Sequence, residues 1–162
     1  MWLEYGLQSI HDKTLKTINR GHDFADFLNA LAITKEFAIP VCAHVILGSP
    51  GETKDDMTET ARRLTELKVD GVKIHLLHVL KGSALERLYA EGGIRLLERD
   101  EYVELACDFL ENLSPGIIVQ RLTGEGIRDN HIAPPWALDK IGTINRIKEV
   151  LRKRGTRQGS KL

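Results

Sequence analysis

The stretch HVILGSPGET, residues 44–53, ends an apolar run in Gly48 and Gly51, which bracket Ser49 and Pro50 and precede the acid Glu52. Glycines directly after a strand-like run suit a sharp turn or a close approach of backbone to a ligand. A phosphate-binding loop needs GxxxxGK, and here Glu52 follows the second glycine with no lysine at the needed place. A dinucleotide fingerprint needs GxGxxG, of which only a fragment is present, and an acid near the helix start would repel a pyrophosphate. Ser49 lacks the G-x-S-x-G surroundings of a nucleophile, because Pro50 follows it. Other chemistry-bearing residues recur near the ends of apolar runs: Gln8 and Ser9, His75 and His78, Gln120 and Arg121. The segment NRGH, residues 19–22, puts Arg20 and His22 at a helix end, where they suit either a bound carboxylate or a C-terminal cap. His44 and His75 with a carboxylate would suit a barrel-type metal-dependent hydrolase, but no HExxH or CxxC occurs. His75 and His78 are three apart, so in one straight strand they point to opposite faces. Glu4, inside a strand-like run, needs a partner when buried, and Arg20 or Lys73 could serve.

The elements that must position these groups follow from periodicity. Residues 2–8 alternate, with Leu3, Tyr5 and Leu7 on one face and Glu4, Gly6 and Gln8 on the other. Asp12 is expected to cap a short helix, and Asp23 a second one bearing Phe24, Phe27, Leu28, Leu31 and Ala32. Residues 41–47 form a nearly unbroken apolar run of strand length, as a parallel strand covered on both faces should. Thr53 with Asp56, and Ser83 with Glu86, have the spacing of capping boxes. Residues 72–80 read as a third strand and 117–121 as a fourth. A helix runs from about 99 to 113, and another from about 136 to 153 with Gly155 as its C-cap. Repeated βα units predict right-handed crossovers and an α/β fold: a parallel sheet of about four strands with helices on the outer face. In an open sheet or part of a barrel, ligands bind beyond the carboxyl ends of the strands, which is where the decapeptide 44–53 falls. Arg121, Glu125, Arg128 and His131, in and beside the loop LTGEGIRDNHIAPP, either line a pocket there or satisfy one another.

The 162 residues, with 42% hydrophobic and 28% charged side chains and zero formal net charge, fit one globular domain. Zero net charge excludes a bulk attraction to nucleic acid or membrane. The distribution is uneven: residues 146–161 hold seven Lys or Arg and one acid, Glu149. That run is either a helix end suited to the dipole or a contact for RNA or an acidic partner. Residues 155–162 read as a basic flexible tail. Cys42 and Cys107, far apart in apolar runs, read as buried core thiols. The opening MWLEYGLQS has no basic region or long apolar core, and no stretch reaches the roughly 20 apolar residues of a membrane span, so the expected location is the cytoplasm.

Jointly these stretches carry a family pattern. WLEYGLQSIHDKTLKTINRGH resembles the fourth strand and following helix of radical S-adenosylmethionine enzymes, and HVILGSPGETKDDM resembles their fifth strand, where relatives commonly show LPGET or LPGQT. The likeness extends through KIHLLHVLKGSALERLY, ERDEYVELACDFLENL and IIVQRLTGEG, nearly the whole chain. It is similar to a bacterial group of uncharacterised members related to the elongator catalytic subunit and the tRNA methylthiotransferases.

This resemblance implies a full or partial (β/α) barrel holding S-adenosylmethionine and a [4Fe-4S] cluster at the carboxyl ends of its strands. It implies that Gln8 and Ser9 lie near the ribose and methionine part of the cofactor and that Arg20 orients the carboxylate. Ile46 and Gly48 would lie around the adenine with Leu80 near it, and His44 completes the implied cofactor-binding set. The family holds its cluster with three cysteines in a CxxxCxxC loop, whereas this chain has only Cys42 and Cys107, neither in such a loop. The expectation is therefore the carboxyl half of the barrel (residues 1–154), with no cluster on this chain alone and no cleavage by it alone. A half barrel leaves an open strand edge at WLEYGLQ, so the expected partners are a second copy or the missing amino-terminal half. RNA is the implied substrate of the parent enzyme, and no membrane is implied. The alternative readings are a non-catalytic protein- or RNA-interaction module and the metal-dependent hydrolase.

Overall fold

A computed structural model describes residues 1–124 and 128–162; Glu125 and the side chain of Arg128 lie outside the described residues. The chain runs β1 (Leu3–Gln8), α1 (Asp12–Thr17), α2 (Phe24–Glu36), β2 (Val41–Leu47), α3 (Lys54–Glu66), β3 (Gly71–Leu76), β4 (Val79–Leu80), α4 (Ala84–Ala90), α5 (Arg99–Glu111), β5 (Ile118–Arg121), β6 (His131–Ala133) and α6 (Lys140–Arg154). Four strands form a parallel sheet in the order β1-β2-β3-β5. Leu7, Val41, Ala43, Val45, Leu47, Val72, Ile74 and Leu76 share a core with Phe27 and Leu31 of α2, Met57, Ala61 and Leu64 of α3, Val103, Ala106 and Phe109 of α5, and Ile147 of α6. The intervening strand residues, Glu4, Gly6, Gln8, His44, Ile46, Lys73 and His75, face the other way, as pleating requires. The parallel sheet with helices is the one the element order predicted, and it forms the partial (β/α) barrel that the family resemblance implied.

The expected caps of α2 and α3 form: Asp23 with Asp26, and Thr53 with Asp56, each make both bonds of a capping box. Gly155 closes α6 in the left-handed conformation, φ 65°. Other expectations are corrected. Asp12 is not the cap of α1; that position is His11, and Asp12 Oδ1 instead accepts from Phe24 N–H at 2.9 Å, tying α1 to α2. Ser83 makes no cap bond but donates to Leu80 O at 2.6 Å, while Glu86 accepts from Gly82 N–H. Residues 72–80 are not one strand. The ladder between β2 and β3 ends at the Leu47–Leu76 pair, where β2 turns away, and β4 pairs antiparallel with β6 instead. The helix expected from 136 is a short 3-10 turn, Pro135–Leu138, followed by α6, whose first turn is capped by Asp139 on Gly142 N–H. Among the described residues no helix is long and apolar enough to cross a membrane.

Residues 155–162 are bound to α5, not loose. Gly159 N–H donates to Leu110 O and Lys161 N–H to Glu111 O, and Gln158 Nε2 donates to Ser114 O and Ile117 O. The anchor is the buried pair Asp108 and Glu111. Arg154 Nη1 lies 3.0 Å from a carboxylate oxygen of each, Lys54 Nζ reaches Asp108 at 2.6 Å, and Lys161 Nζ pairs with Glu111. Sequence periodicity missed this because it depends on a helix face and a terminal turn about 45 residues apart. Two more cations of the basic run are matched: Arg146 pairs with Asp100 and Glu149, and Lys153 with Glu149, whereas Lys148, Arg152 and Arg157 make no ion pair among the described residues. Burial is the largest influence on both acids and would raise their pKa values. The cations outweigh it, so both carboxyls sit below their ordinary values. A depressed carboxyl stabilises the fold above its unfolded-state pKa, and that contribution disappears as pH falls through the folded-state value. Arg154→Ala is expected to cost about 3 kcal/mol at neutral pH by leaving buried acids unpaired. Urea denaturation should show the gap between variant and wild type narrowing as the solution is acidified into and below the carboxylate range.

Candidate functional site

The strands of a parallel sheet end on one rim, and here that rim is shaped by two left-handed residues. Gln8 ends β1 at φ 68°, a costly conformation for a residue with a side chain, and Gly48 follows β2 at φ 86°. Strain at Gln8 coincides with a cavity. A space of about 480 Å³ is lined by Gln8, Asn19, Arg20, Ile46, Pro50 and Leu77, with Leu85 and Leu88 of α4 closing one side. A second space of about 350 Å³ lies against it, lined by Gln8, His44, Ile46, His75, His78 and Leu85 among others. Gln8 and Ile46 border both.

The structure thus brings together four of the expected residues, Gln8, Arg20, His44 and Ile46. Arg20 does not pair with Glu4; its Nε donates to Gly6 O at 3.0 Å. A Cβ at position 6 would lie 2.5 Å from Arg20 Nη2 and 2.8 Å from Gln8 Nε2, so the missing side chain at Gly6 makes room for both. Sequence reasoning noted Gly6 only as part of a polar strand face; a glycine inside a strand was the available signal of close approach. Ser9, Gly48 and Leu80 border neither cavity. Ser9 is buried, and its hydroxyl donates to Glu52 while accepting from His11 N–H. Burial raises the pKa of Glu52, opposed by the Ser9 and Thr14 hydroxyls. Gly48 turns the chain beneath Leu97, and Leu80 sits half-exposed on β4. Ser49, at the centre of the decapeptide, is buried with no hydrogen-bond partner for its hydroxyl oxygen.

The inner face carries a polar row across three strands. Glu4 accepts from Lys73 Nζ at 2.5 Å and from His44 Nε2 at 2.7 Å, and the first of these is the larger cause of its lowered pKa. His44 stacks on His75, with ring centroids 5.2 Å apart. His75 Nε2 is buried without a partner, and burial above all, then the charges around it, lowers its pKa to about 4. Because the strand breaks after Leu76, His78 belongs to a different group and meets His131 edge-on at 5.4 Å. A zinc-like set from His44, His75 and Glu4 is not formed. Among the described residues the group of three with converging donor atoms is His11, Asp56 and Glu59, where His11 Nε2 already bonds Asp56 O. The two cysteines do not fit a three-thiolate cluster site: Cys42 is buried in β2, Cys107 Sγ is bonded to Ile147 O between α5 and α6, and burial pushes both thiols up to about 11.

Comparison with known proteins places this architecture. Residues 1–64 match the Radical SAM superfamily and residues 69–153 the Radical_SAM C-terminal domain. The chain belongs to the radical S-adenosylmethionine superfamily, as its sequence pattern implied. It is similar to the uncharacterized protein MJ0486 of Methanocaldococcus jannaschii, at 43% identity over 99% of this chain and 50% of that protein. It is more distantly similar to a tRNA uridine(34) acetyltransferase of Methanocaldococcus infernus, at 28% identity over 64% of this chain and 20% of that one. The solved structure of the archaeal Methanocaldococcus infernus Elp3 with an N-terminal deletion has the same fold, with TM-score 0.84 and 19% identity over 98% of this chain and 37% of that one. The chain spans about half the length of the curated relatives MJ0486, YtqA and YhcC that it matches.

Gly48 gives a test of the rim. A Cβ there would lie 2.6 Å from Leu97 Cδ1 on a backbone that disfavours side chains. Gly48→Ala should lower stability by about 2 kcal/mol. In a double-mutant cycle with Leu97→Ala, only the steric part should be recovered, leaving the backbone part.

Proposed function

We propose that this chain is the carboxyl half of a radical S-adenosylmethionine enzyme, contributing the nucleoside-side wall and the substrate-side face of the barrel and inert by itself. The parent reaction is reductive cleavage of S-adenosylmethionine to a 5′-deoxyadenosyl radical. The observation that supports this reading best is the convergence of Gln8, Arg20 and Ile46 on one cavity at the carboxyl ends of parallel strands. The Arg20 guanidinium suits the cofactor's carboxylate, the Gln8 amide its ribose and methionine part, and Ile46 the adenine, with Gly48 turning the chain just beyond it. Ser9 acts on the same ligand from behind by holding Glu52 and the loop after Gly48, while Leu80, which borders neither cavity, is given no contact. No step through the cluster is assigned to this chain, because its two thiols do not suit one.

The partner is the amino-terminal half that the length of the relatives provides for, or a second copy of the chain. β1 is an edge strand of the sheet, with a row of backbone groups able to accept another parallel strand. RNA is the proposed substrate of the assembled enzyme, on the similarity to a protein named as a tRNA-modifying enzyme.

Equilibrium dialysis against S-adenosylmethionine should detect binding by the wild-type chain, and Arg20→Gln should weaken it by about tenfold or more, the worth of a charge-assisted bond. Gly6→Ala should weaken it without unfolding the chain, because its Cβ meets only the mobile ends of Arg20 and Gln8. Anaerobic treatment with iron and sulfide should yield no stable cluster absorption and no 5′-deoxyadenosine. A stoichiometric [4Fe-4S] spectrum on the isolated chain would overturn the assignment of the cluster to other residues.

A further inference from the structure

We propose that Arg121 and His75 form a phosphate-binding subsite on the inner face, where His75 lines the smaller of the two cavities and Arg121 stands on β5 opposite Lys73, two residues before His75. Arg121 ends β5 opposite Lys73 of β3, is half-buried, and makes no side-chain ion pair or hydrogen bond among the described residues. Glu4, the acid of the inner-face row, is already engaged by Lys73 and His44. Among the described residues His75 Nε2 is buried with no hydrogen-bond partner, and so is Nδ1 of His78, which lines the same cavity.

The groups facing His75 are cations or imidazoles: His44 from β2, Lys73 from its own strand, His78 from the turn beyond it, and Arg121 from β5. All of them oppose a proton on the ring, and burial opposes it more, so His75 is neutral at physiological pH and offers one ring N–H. A half-buried guanidinium beside unbonded ring nitrogens is a recognition set for an oxyanion. Donors contributed from different strands suit the several oxygens of a tetrahedral phosphate better than the two coplanar oxygens of a carboxylate. This site is separate from the decapeptide turn, whose Glu52 would repel such a ligand. The phosphate could belong to a mononucleotide or to a polynucleotide backbone, so the subsite stands independently of the RNA reading above.

The linkage at His75 has a definite sign. An anion beside His75 raises its pKa, so the His75 contribution to binding grows as pH falls toward the bound-state value, while protonation of the phosphate itself, with a second pKa of about 6, acts the other way. The full chain, labelled with ¹⁵N-histidine, is titrated with inorganic phosphate, uridine monophosphate and a short single-stranded RNA, with acetate and chloride at matched ionic strength as controls. The His75 ring resonances should shift with phosphate-bearing probes and not with the controls. The titration midpoint of His75 should rise by about one unit. Arg121→Gln should weaken the effect by about tenfold or more with the amide spectrum unchanged. Failure of inorganic phosphate and the mononucleotide to move His75, or equal responses in Arg121→Gln and wild type, would overturn the subsite. If RNA then binds by fluorescence anisotropy without moving His75, the RNA reading survives and the subsite does not. If phosphate and mononucleotide act through Arg121 while RNA does not bind, the subsite stands and the RNA reading falls.

Discussion

One-sided coverage of a parallel sheet is the constraint on which the rest of this molecule depends. α2, α3 and α5 require an apolar residue at every second position of β1, β2 and β3, because the core has no room for an unpaired polar group. The residues between them meet no such demand. They are free to be Glu4, Gln8, His44, Lys73 and His75, and the fold gathers them on the inner face by pleating alone. Glu4 then binds across three strands at once, accepting from β2 through His44 and from β3 through Lys73. Polar residues that would weaken a doubly covered sheet become the lining of a cavity.

The rim depends on the same geometry. Each strand must stop where the sheet's carboxyl edge stops, and the chain must turn sharply to reach the next helix. β1 does this with a strained Gln8 and β2 with a glycine. The first puts a side-chain amide at the border of both cavities, and the second sends the chain under Leu97. Arg20 reaches the same place from the far end of α1 only because Gly6 leaves space above β1. The cavity therefore takes its lining from the strained end of β1 and from the space that Gly6 leaves for Arg20.

The outer layer solves a different problem. Asp108 and Glu111 lie almost fully buried, and their charge is tolerated because Lys54, Arg154 and Lys161 approach from three segments. This ties the final residues to α5 and uses up much of the positive charge that, in the linear sequence, looks available for RNA. A charge run is a free surface only when the fold leaves it unmatched.

The sequence by itself determined the parallel βα architecture, the two faces of β1, the cap at Asp23 and the capping box at Thr53, the buried thiols, and the family. Each of these depends on residue type and short-range spacing, which the linear order displays directly. Tertiary structure alone decided that Arg20 lies on Gly6 O rather than on Glu4, that Ser9 turns to Glu52, and that 72–80 breaks so that Val79 and Leu80 pair with residues 131–133. It alone decided that the terminal turn is bound to α5. These outcomes depend on which groups meet across 14 to more than 40 residues of chain, or on where a partner strand ends, and no local pattern encodes either.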